Sequence, residues 1–303
     1  MSSPSAWSAE TARVVAAYVY PVKSCGASPV DELVFDRWGG AEGDRRWAVV
    51  GADGAVTWQG THPRLALVHP RLDGDGLLLT AGPGPGPVPA WRRGHSDEHG
   101  GRPEAGARHA PLRVVADGPW VDVGLWNDIE RRTDVFPCRA AGPDADAWLS
   151  AVVGAPLRLV RLGDAALARP HAERLHVISR ESAQEVDAWL RARGQPPADE
   201  ARYRPNLVLA GAEAPLAPFV EDLLASLRWG ADAGITVGSR CVRCIVPDVD
   251  PSTGRPGEHV LPALAELSAR RAPGGPTTLG VYGRGTPGAR LARGQDVALE
   301  IAF

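Results

Sequence analysis

The stretch Val14-Val15-Ala16-Ala17-Tyr18-Val19-Tyr20-Pro21-Val22-Lys23-Ser24 indicates the kind of fold that this chain adopts. Its first seven residues are apolar or aromatic and rich in β-forming types, and Pro21 ends them, so we predict a strand that leads into a loop. Lys23 and Ser24 then lie at the end of that strand. The chain contains 35 glycines and 28 prolines in 303 residues, which favours many short strands joined by turns and argues against a helical bundle.

The same pattern recurs along the chain and separates two regions. Further strands are predicted at 44–50, 56–58, 77–80, 113–115, 157–162, 207–209, 235–237 and 245–246, with helices at 145–153, 182–193 and 261–270. Residues 81–110 are dominated by Gly, Pro, His and charge, which predicts a long loop. A polar break at Gly142-Pro143-Asp144 divides the chain into predicted domains at 12–138 and 145–303. The predicted fold class is therefore α+β, mainly β.

Charge and cysteine usage limit the classes of partner and the compartment. Lys and Arg total 33 and Asp and Glu total 36, a net charge of −3 that provides no cationic surface for nucleic acid or an acidic membrane. The first twelve residues lack a cationic region followed by an apolar stretch, and no window is apolar over the length of a membrane span. Four unevenly spaced cysteines do not form a disulfide framework. We therefore expect a cytoplasmic protein with no nucleic-acid or membrane partner.

Common catalytic motifs are missing from the sequence. It contains no P-loop, no G-x-G-x-x-G after a strand, no H-E-x-x-H and no G-x-S-x-G. Four frequent enzyme classes thereby lose support, and the site has to be sought among less common arrangements.

Cys241-Val242-Arg243-Cys244 is the most informative tetrapeptide. A structural zinc site needs further ligands at tight spacing, and the other cysteines and the histidines are scattered. A thioredoxin-type pair needs a helix after the first cysteine, whereas the residues after Cys244 predict a strand. Two interpretations stay open: both cysteines are small buried residues, or one thiolate binds a soft metal while Arg243 lowers its pKa or holds an anion.

Other polar residues stand at the ends of predicted strands. Lys23 is the one lysine in the chain and Ser24 adds a hydroxyl beside it, although a solvated surface lysine is the plain alternative. Arg204-Pro205-Asn206 provides a guanidinium fork and one of two asparagines, with a capping role as its alternative. The segment Asp44-Arg45-Arg46-Trp47 taken alone fits a charged strand edge.

Taken in order, six motifs resemble the MOSC family. They are Tyr20-Pro21-Val22-Lys23-Ser24, Gly43-Asp44-Arg45-Arg46-Trp47, Tyr203-Arg204-Pro205-Asn206, Cys241-Val242-Arg243-Cys244, Val249-Asp250-Pro251-Ser252-Thr253-Gly254 and Gly280-Val281-Tyr282. More narrowly they are similar to the branch that contains the mitochondrial amidoxime-reducing component. The resemblance implies an N-terminal MOSC β-barrel domain followed by a β-barrel-like MOSC domain with peripheral helices.

The resemblance also implies a molybdenum cofactor of the molybdopterin type, held between the two domains. Cys244 matches the family's thiolate ligand to molybdenum, which makes it both the metal ligand and the catalytic residue, and soft sulfur suits this metal. Cys241 is then expected to be buried and structural. The positions that match the family's cofactor-binding residues are Lys23, Ser24, Arg45, Arg204, Asn206, Arg243 and Tyr282.

The implied activity is that of a molybdenum-dependent oxidoreductase that reduces small N-oxygenated (N-hydroxylated) compounds. No cysteine follows Cys244, so the residues after it cannot bind an iron–sulfur cluster. We therefore expect the electrons to come from a separate flavin or iron–sulfur protein. The alternative is a module that binds the cofactor or carries sulfur without terminal catalysis, and a third interpretation is a MOSC fold that has lost the metal.

The chain departs from the family pattern in three places. Pro247-Asp248 replaces two threonines and predicts an extra negative charge close to the metal. His171-Ala172-Glu173-Arg174 replaces an aspartate-containing segment, and Val242 stands where serine is frequent. These departures predict altered pterin contacts or a different substrate.

Overall fold

Strands make up most of the regular structure in the computed structural model, which describes residues 10–82, 109–169 and 175–302. The strands are β1 (Glu10–Val19), β2 (Ser28–Pro29), β3 (Glu32–Val34), β4 (Trp47–Val50), β5 (Val68–Asp73), β6 (Gly76–Ala81), β7 (Leu112–Val114), β8 (Trp120–Asn127), β9 (Arg132–Ala140), β10 (Arg158–Leu162), β11 (Leu175–Ser179), β12 (Leu207–Gly211), β13 (Leu224–Trp229), β14 (Ala233–Val242), β15 (Thr278–Gly285), β16 (Arg290–Ala292) and β17 (Asp296–Ile301). The predicted fold class is confirmed.

The helices lie between the strands of the second half. They are α1 (Pro143–Val153), α2 (Asp164–Ala168), α3 (Arg180–Arg191) and α4 (Val260–Arg271). Helix α3 begins at Arg180, two residues before the predicted start at 182, because the Ser179 hydroxyl accepts a hydrogen bond from the Ser182 backbone N–H and so satisfies a free donor of the first turn. The predicted helices at 145–153 and 261–270 differ from α1 and α4 only by one or two residues at their ends.

A closed barrel of seven strands forms the larger half of the protein. Going round it, the order is β1, β12, β11, β15, β14, β13 and β17, and β17 pairs with β1 again. The first strand of the chain therefore completes a barrel whose other strands begin at or after Leu175. Closure leaves no free edge between these strands, so their backbone groups are paired on both sides.

Strand β1 faces two different cores. Ala12, Val14, Ala17 and Val19 belong to the apolar interior of the barrel. Tyr18 packs on the outer side against residues of α3 and α4. Because both faces of its second half are covered, the apolar run that predicted this strand is continuous instead of alternating.

A second layer lies beside the barrel. Its four-stranded sheet has the order β4, β10, β9, β8, and a separate three-stranded sheet has the order β5, β6, β7. Strand β10 comes after α1 and pairs with β4 and β9, so residues 158–162 belong to the four-stranded sheet, which we call the first sheet. The two halves thus exchange strands, with β1 in the barrel and β10 in the first sheet. The boundaries 12–138 and 145–303 remain a prediction.

Two predicted strands are wrong. Val56 forms only an isolated bridge with Val50, so residues 56–58 do not return as a strand. Residues Val246–Asp248 form a 3-10 helix, in which the Asp248 N–H donates to the Ile245 carbonyl at 2.9 Å. Pro247 fits this turn because its fixed φ suits the start of a helix.

Some predictions fall outside the described residues. These are most of the loop at 81–110 and the segment at 171–174. Within the described parts of the chain, no helix has the length and apolar character needed to cross a membrane.

Candidate cofactor site

Asn206 stands at the centre of the buried part of the site and is fully buried. Its amide nitrogen donates to Asp44 Oδ1 at 2.9 Å and to the Tyr18 carbonyl at 3.1 Å. Its amide oxygen accepts from Arg45 Nη1 and from the His176 backbone N–H, both at 3.1 Å. Only an amide offers two donors and an acceptor in this geometry, which explains why an asparagine stands here. We call Asn206 and these four partners the Asn206 cluster.

Three of the predicted site residues have a left-handed backbone. Among the described non-glycine residues, positive φ occurs at five positions, and they include Ser24 (67°), Arg45 (48°) and Arg204 (58°). This conformation costs about 1 to 2 kcal/mol for a residue with a Cβ atom. Such strain persists where the surroundings impose it, and it concentrates at functional sites.

Tyr20 lies between two of the predicted arginines. The centre of its ring is 5.2 Å from Arg45 Cζ and 4.3 Å from Arg204 Cζ, distances at which a cation is attracted to the ring face. Arg204 Nη1 also donates to the Cys25 carbonyl at 2.5 Å, next to the turn that carries Lys23 and Ser24. Arg204 therefore connects that turn with the barrel. Burial lowers the pKa of Arg204, and Arg45 lowers it further.

The C-x-R-C tetrapeptide ends β14 with its two cysteines in different environments. Cys241 is buried, as expected, and its Sγ accepts from Arg243 Nη1 at 2.9 Å. Arg243 Nη2 donates to the Tyr203 carbonyl at 3.0 Å. Cys244 is exposed, whereas Cys25, Cys138 and Cys241 are buried. Arg243 therefore bonds directly to Cys241, and its predicted role beside the metal thiolate remains a prediction.

Tyr282 and Cys244 both lie close enough to Arg243 to affect its pKa. Burial alone would lower the pKa of Arg243, but Cys241, Tyr282 and Cys244 raise it above its ordinary value. At Arg45, burial likewise lowers the pKa while Asp44 and Tyr282 raise it, and the net result is a raised pKa. Tyr282 thus interacts with both arginines.

The sequence prediction missed His176, which is almost completely buried. Its Nε2 lies 3.1 Å from the Leu279 carbonyl and its Nδ1 lies 3.3 Å from the Arg204 carbonyl, and its ring centre is 5.4 Å from that of Tyr282. Burial and Arg243 lower its pKa to about 3, so the imidazole is neutral at physiological pH. The available signal was a histidine inside the apolar run Leu175-His176-Val177-Ile178.

The structure gathers most of the predicted residues. Asn206 bonds to Arg45 and follows Arg204, while Arg243 interacts with Tyr282 and Cys244. Ser24 is buried and Lys23 is exposed on the turn before Cys25. Among the described residues, no three His, Cys, Asp or Glu side chains come together as a metal-binding group.

A cavity of about 200 Å³ lies next to the predicted site residue Arg204. Tyr20 and Arg204 form part of its wall. Gln59 and His69 line it from the first half of the chain, and Arg202 lines it from the second half. The cavity therefore lies where the two sheet systems meet.

Comparison with protein families agrees with this architecture. The family described as MOSC N-terminal beta barrel domain matches residues 11–95, and the family described as MOSC domain matches residues 162–298. The chain belongs to the MOSC family. Together the two matches cover most of the chain and include every predicted site residue.

The curated relatives are distant. This MOSC protein is 26% identical over 260 residues to mitochondrial amidoxime-reducing component 1 of Xenopus laevis, covering 78% of this chain and 65% of that protein. It is 26% identical over 261 residues to mitochondrial amidoxime reducing component 2 of Rattus norvegicus, covering 78% and 66%. It is 24% identical over 281 residues to the molybdenum cofactor sulfurase of Homo sapiens, covering 82% of this chain but only 28% of that enzyme. The chain spans less than two thirds of these relatives.

Solved structures are less similar still. The YuaD protein of Bacillus subtilis aligns with 97% of this chain at 14% identity and a TM-score of 0.39. YiiM of Geobacillus stearothermophilus aligns with 60% at 15% identity and a TM-score of 0.28.

Proposed function

We propose that this MOSC protein binds a molybdenum cofactor and reduces small N-oxygenated compounds with electrons from a separate flavin or iron–sulfur protein. The observation that carries the proposal is the presence of two cationic residues with left-handed backbone, Arg45 and Arg204, next to Asn206, together with an exposed thiol at Cys244 that interacts with Arg243. The names of the amidoxime-reducing relatives support the substrate class.

The donors of the site fit an anionic, sulfur-rich cofactor. Arg204 Nη2, Arg243 Nε and Tyr20 Oη are buried and have no hydrogen-bond partner among the residues that the structure describes. Buried polar atoms are normally paired, so donors left over at one place favour a ligand rich in acceptor oxygens. When bound, the cofactor would supply a metal centre that exchanges two electrons.

The residues of the chain take different parts in this proposal. Arg204, with Lys23 and Ser24 on the neighbouring turn, would hold the phosphate, since a guanidinium matches phosphate oxygens geometrically. Arg45 and Arg243 would balance the remaining negative charge. Asn206 fixes the position of Arg45, and Tyr282 lies beside both arginines. The Cys244 thiolate would be the protein ligand to molybdenum.

The overall reaction places few demands on acid–base groups of the protein. The N–O bond breaks, the nitrogen compound gains two electrons and two protons, and the oxygen leaves as water. Because Cys244 is exposed, water at this surface can supply the protons directly. The protein then contributes the binding and orientation of the reactants, which is the usual division of labour with a cofactor.

Turnover of a model substrate tests the proposal. The protein would be produced in a host that makes the cofactor and assayed for reduction of benzamidoxime to benzamidine with a reduced viologen dye. We expect activity in the parent protein and in Cys138→Ser, a change at a buried thiol of the first sheet, and none in Cys244→Ser. Equal activity in Cys244→Ser would contradict the assignment of the thiolate.

A sulfur-carrying role is the second candidate. The exposure of Cys244 and the match to molybdenum cofactor sulfurases over 82% of this chain favour it. A carrier would bind the cofactor without reducing benzamidoxime. Alternatively, the Cys244 thiolate would attack the outer sulfur of a persulfide on a separate sulfur-donor protein, which releases the donor's thiolate and leaves a Cys244 persulfide that mass spectrometry detects. The same preparations therefore distinguish the two functions.

A further inference from the structure

We propose that Arg202 is a positioning residue that fixes the segment following Cys244 relative to Arg204. The proposal rests on the proposed function, in which Arg204 holds the anionic end of the cofactor and Cys244 holds the metal. We call residues 244–250 the Cys244 segment.

Arg202 makes its contacts from the 3-10 helix Glu200–Tyr203, directly before Arg204 and Asn206 in the chain. Its Nη1 donates to the carbonyls of Pro247 at 3.2 Å and Asp248 at 3.3 Å. Its Nη2 pairs with Asp250 Oδ2 at 3.1 Å. Only 9% of the Arg202 side chain is exposed, which strengthens charged contacts of this kind because water screens them little. One guanidinium thus holds three groups of the Cys244 segment.

Asp250 is prepared for this pairing by the D-P-S-T-G turn. Its Oδ1 accepts from the Ser252 backbone N–H at 2.8 Å, the Ser252 hydroxyl at 2.6 Å and the Thr253 N–H at 3.2 Å. Gly254 closes the turn with a φ of 64°, a conformation that favours glycine. The turn occupies one carboxylate oxygen and leaves the other for Arg202. This gives the motif a structural purpose within the site.

Asp248 fixes the segment from the opposite side. It is buried, and its Oδ1 accepts from the backbone N–H groups of Val260 at 2.7 Å and Leu261 at 3.1 Å, in the first turn of α4. The residue at the formal cap, His259, makes no side-chain capping bond. The Asp248 carboxylate therefore satisfies donors at the positive end of α4. The negative charge that the sequence places at Asp248 is therefore directed at the first turn of α4.

These contacts leave the Cys244 segment little freedom. It begins at the end of β14, bonds to α4 through Asp248 and bonds to the Arg204 region through Arg202. Removing Arg202 would release two backbone carbonyls and Asp250 while leaving the α4 contact intact. The separation between Arg204 and Cys244 would then vary.

The test compares Arg202→Met, Arg202→Lys and Asp250→Asn with Arg37→Met, whose ion pair with Asp164 is exposed. The first measurement is the rate at which iodoacetamide alkylates Cys244 in metal-free protein, which is selective because the other three cysteines are buried. We expect Arg202→Met to raise this rate by roughly tenfold, the effect of losing charge-assisted hydrogen bonds. Arg202→Lys should give a smaller increase because it keeps the charge but not the fork. Arg37→Met should match the parent.

The second measurement is the rate of molybdenum loss from the loaded protein during dialysis. We expect roughly tenfold faster loss in Arg202→Met and partial rescue in Arg202→Lys. An alkylation rate in folded Arg202→Met equal to that of the parent would overturn the proposal. If alkylation changes but no form binds molybdenum, the positioning role stands and the proposed function fails. If Arg202→Met does not fold, both measurements are made on Asp250→Asn, in which the new side chain has nearly the same shape as the carboxylate that it replaces.

Discussion

Asn206 is fully buried and uses both amide hydrogens and the amide oxygen in bonds to three segments of the chain, whereas Cys244 is exposed at the end of a barrel strand. The Asn206 cluster is held by side-chain bonds in the protein interior. The Cys244 segment is held by residues that follow Cys244 in the chain. The carbonyls of Pro247 and Asp248 bond to Arg202, and the Asp248 carboxylate bonds to α4. The Asn206 end of the site is therefore fixed within the protein, whereas Cys244 is accessible from solvent.

The largest expected effect comes from substituting Asn206, the buried residue of the Asn206 cluster. Asn206→Ala would remove one buried hydrogen bond from each of Asp44, Arg45, the Tyr18 carbonyl and the His176 N–H, although Asp44 and Arg45 keep their bond to each other. We expect the free energy of unfolding to fall by on the order of 2 to 4 kcal/mol, because each unpaired buried group costs about 1 to 3 kcal/mol. Urea unfolding measures this. Cys244→Ser, at the exposed end, should leave the urea midpoint unchanged, and a similar loss there would break the comparison.

A smaller effect is expected in mild acid, at about pH 5.5. His176 has a folded pKa of about 3 against an ordinary value of 6.5, so between these values the unfolded chain binds more protons than the folded protein. The stability of the parent should therefore fall as pH decreases from about 6.5 toward 3. His176→Gln should show a weaker decline in urea midpoint over this range. Burial also lowers the pKa of His69, and His69→Gln measures that separate part.

The smallest effect concerns backbone strain. Ser24 has a φ of 67° and no helical or strand context, so Ser24→Gly should relieve the left-handed conformation. We expect a gain of about 1 kcal/mol in the free energy of unfolding, together with weaker retention of the cofactor because a hydroxyl is lost. Thermal unfolding and molybdenum retention measure the two parts. A loss of stability in Ser24→Gly would show that the strain account of this turn is wrong.

Local patterns in the sequence predicted the first strand, the long helices and the mainly β class, because apolar runs and cap residues act over a few positions. The ordered motifs predicted Arg45, Arg204 and Asn206 as neighbours, which lie together in the structure. The sequence did not predict the exchange of β1 and β10, because strand pairing depends on distant partners.

The errors near the site have the same cause. The apolar pair at 245–246 favoured a strand, but Pro247 and the bond from Asp248 to Ile245 form a helical turn. The direction of the Asp248 carboxylate depends on α4, whose first turn is twelve residues further along the chain. His176 was missed because its neighbours in β11 are apolar, so its polar contacts with Arg204 and Leu279 became visible only in the fold.

The molybdenum content of purified variants decides whether Cys244 is the metal ligand. The parent protein, Cys244→Ser and Cys241→Ser would be purified from a cofactor-producing host, and metal and pterin would be measured per chain. We expect near-stoichiometric metal in the parent and in folded Cys241→Ser, and loss of the metal in Cys244→Ser. Full molybdenum in Cys244→Ser, or none in the parent, would contradict it.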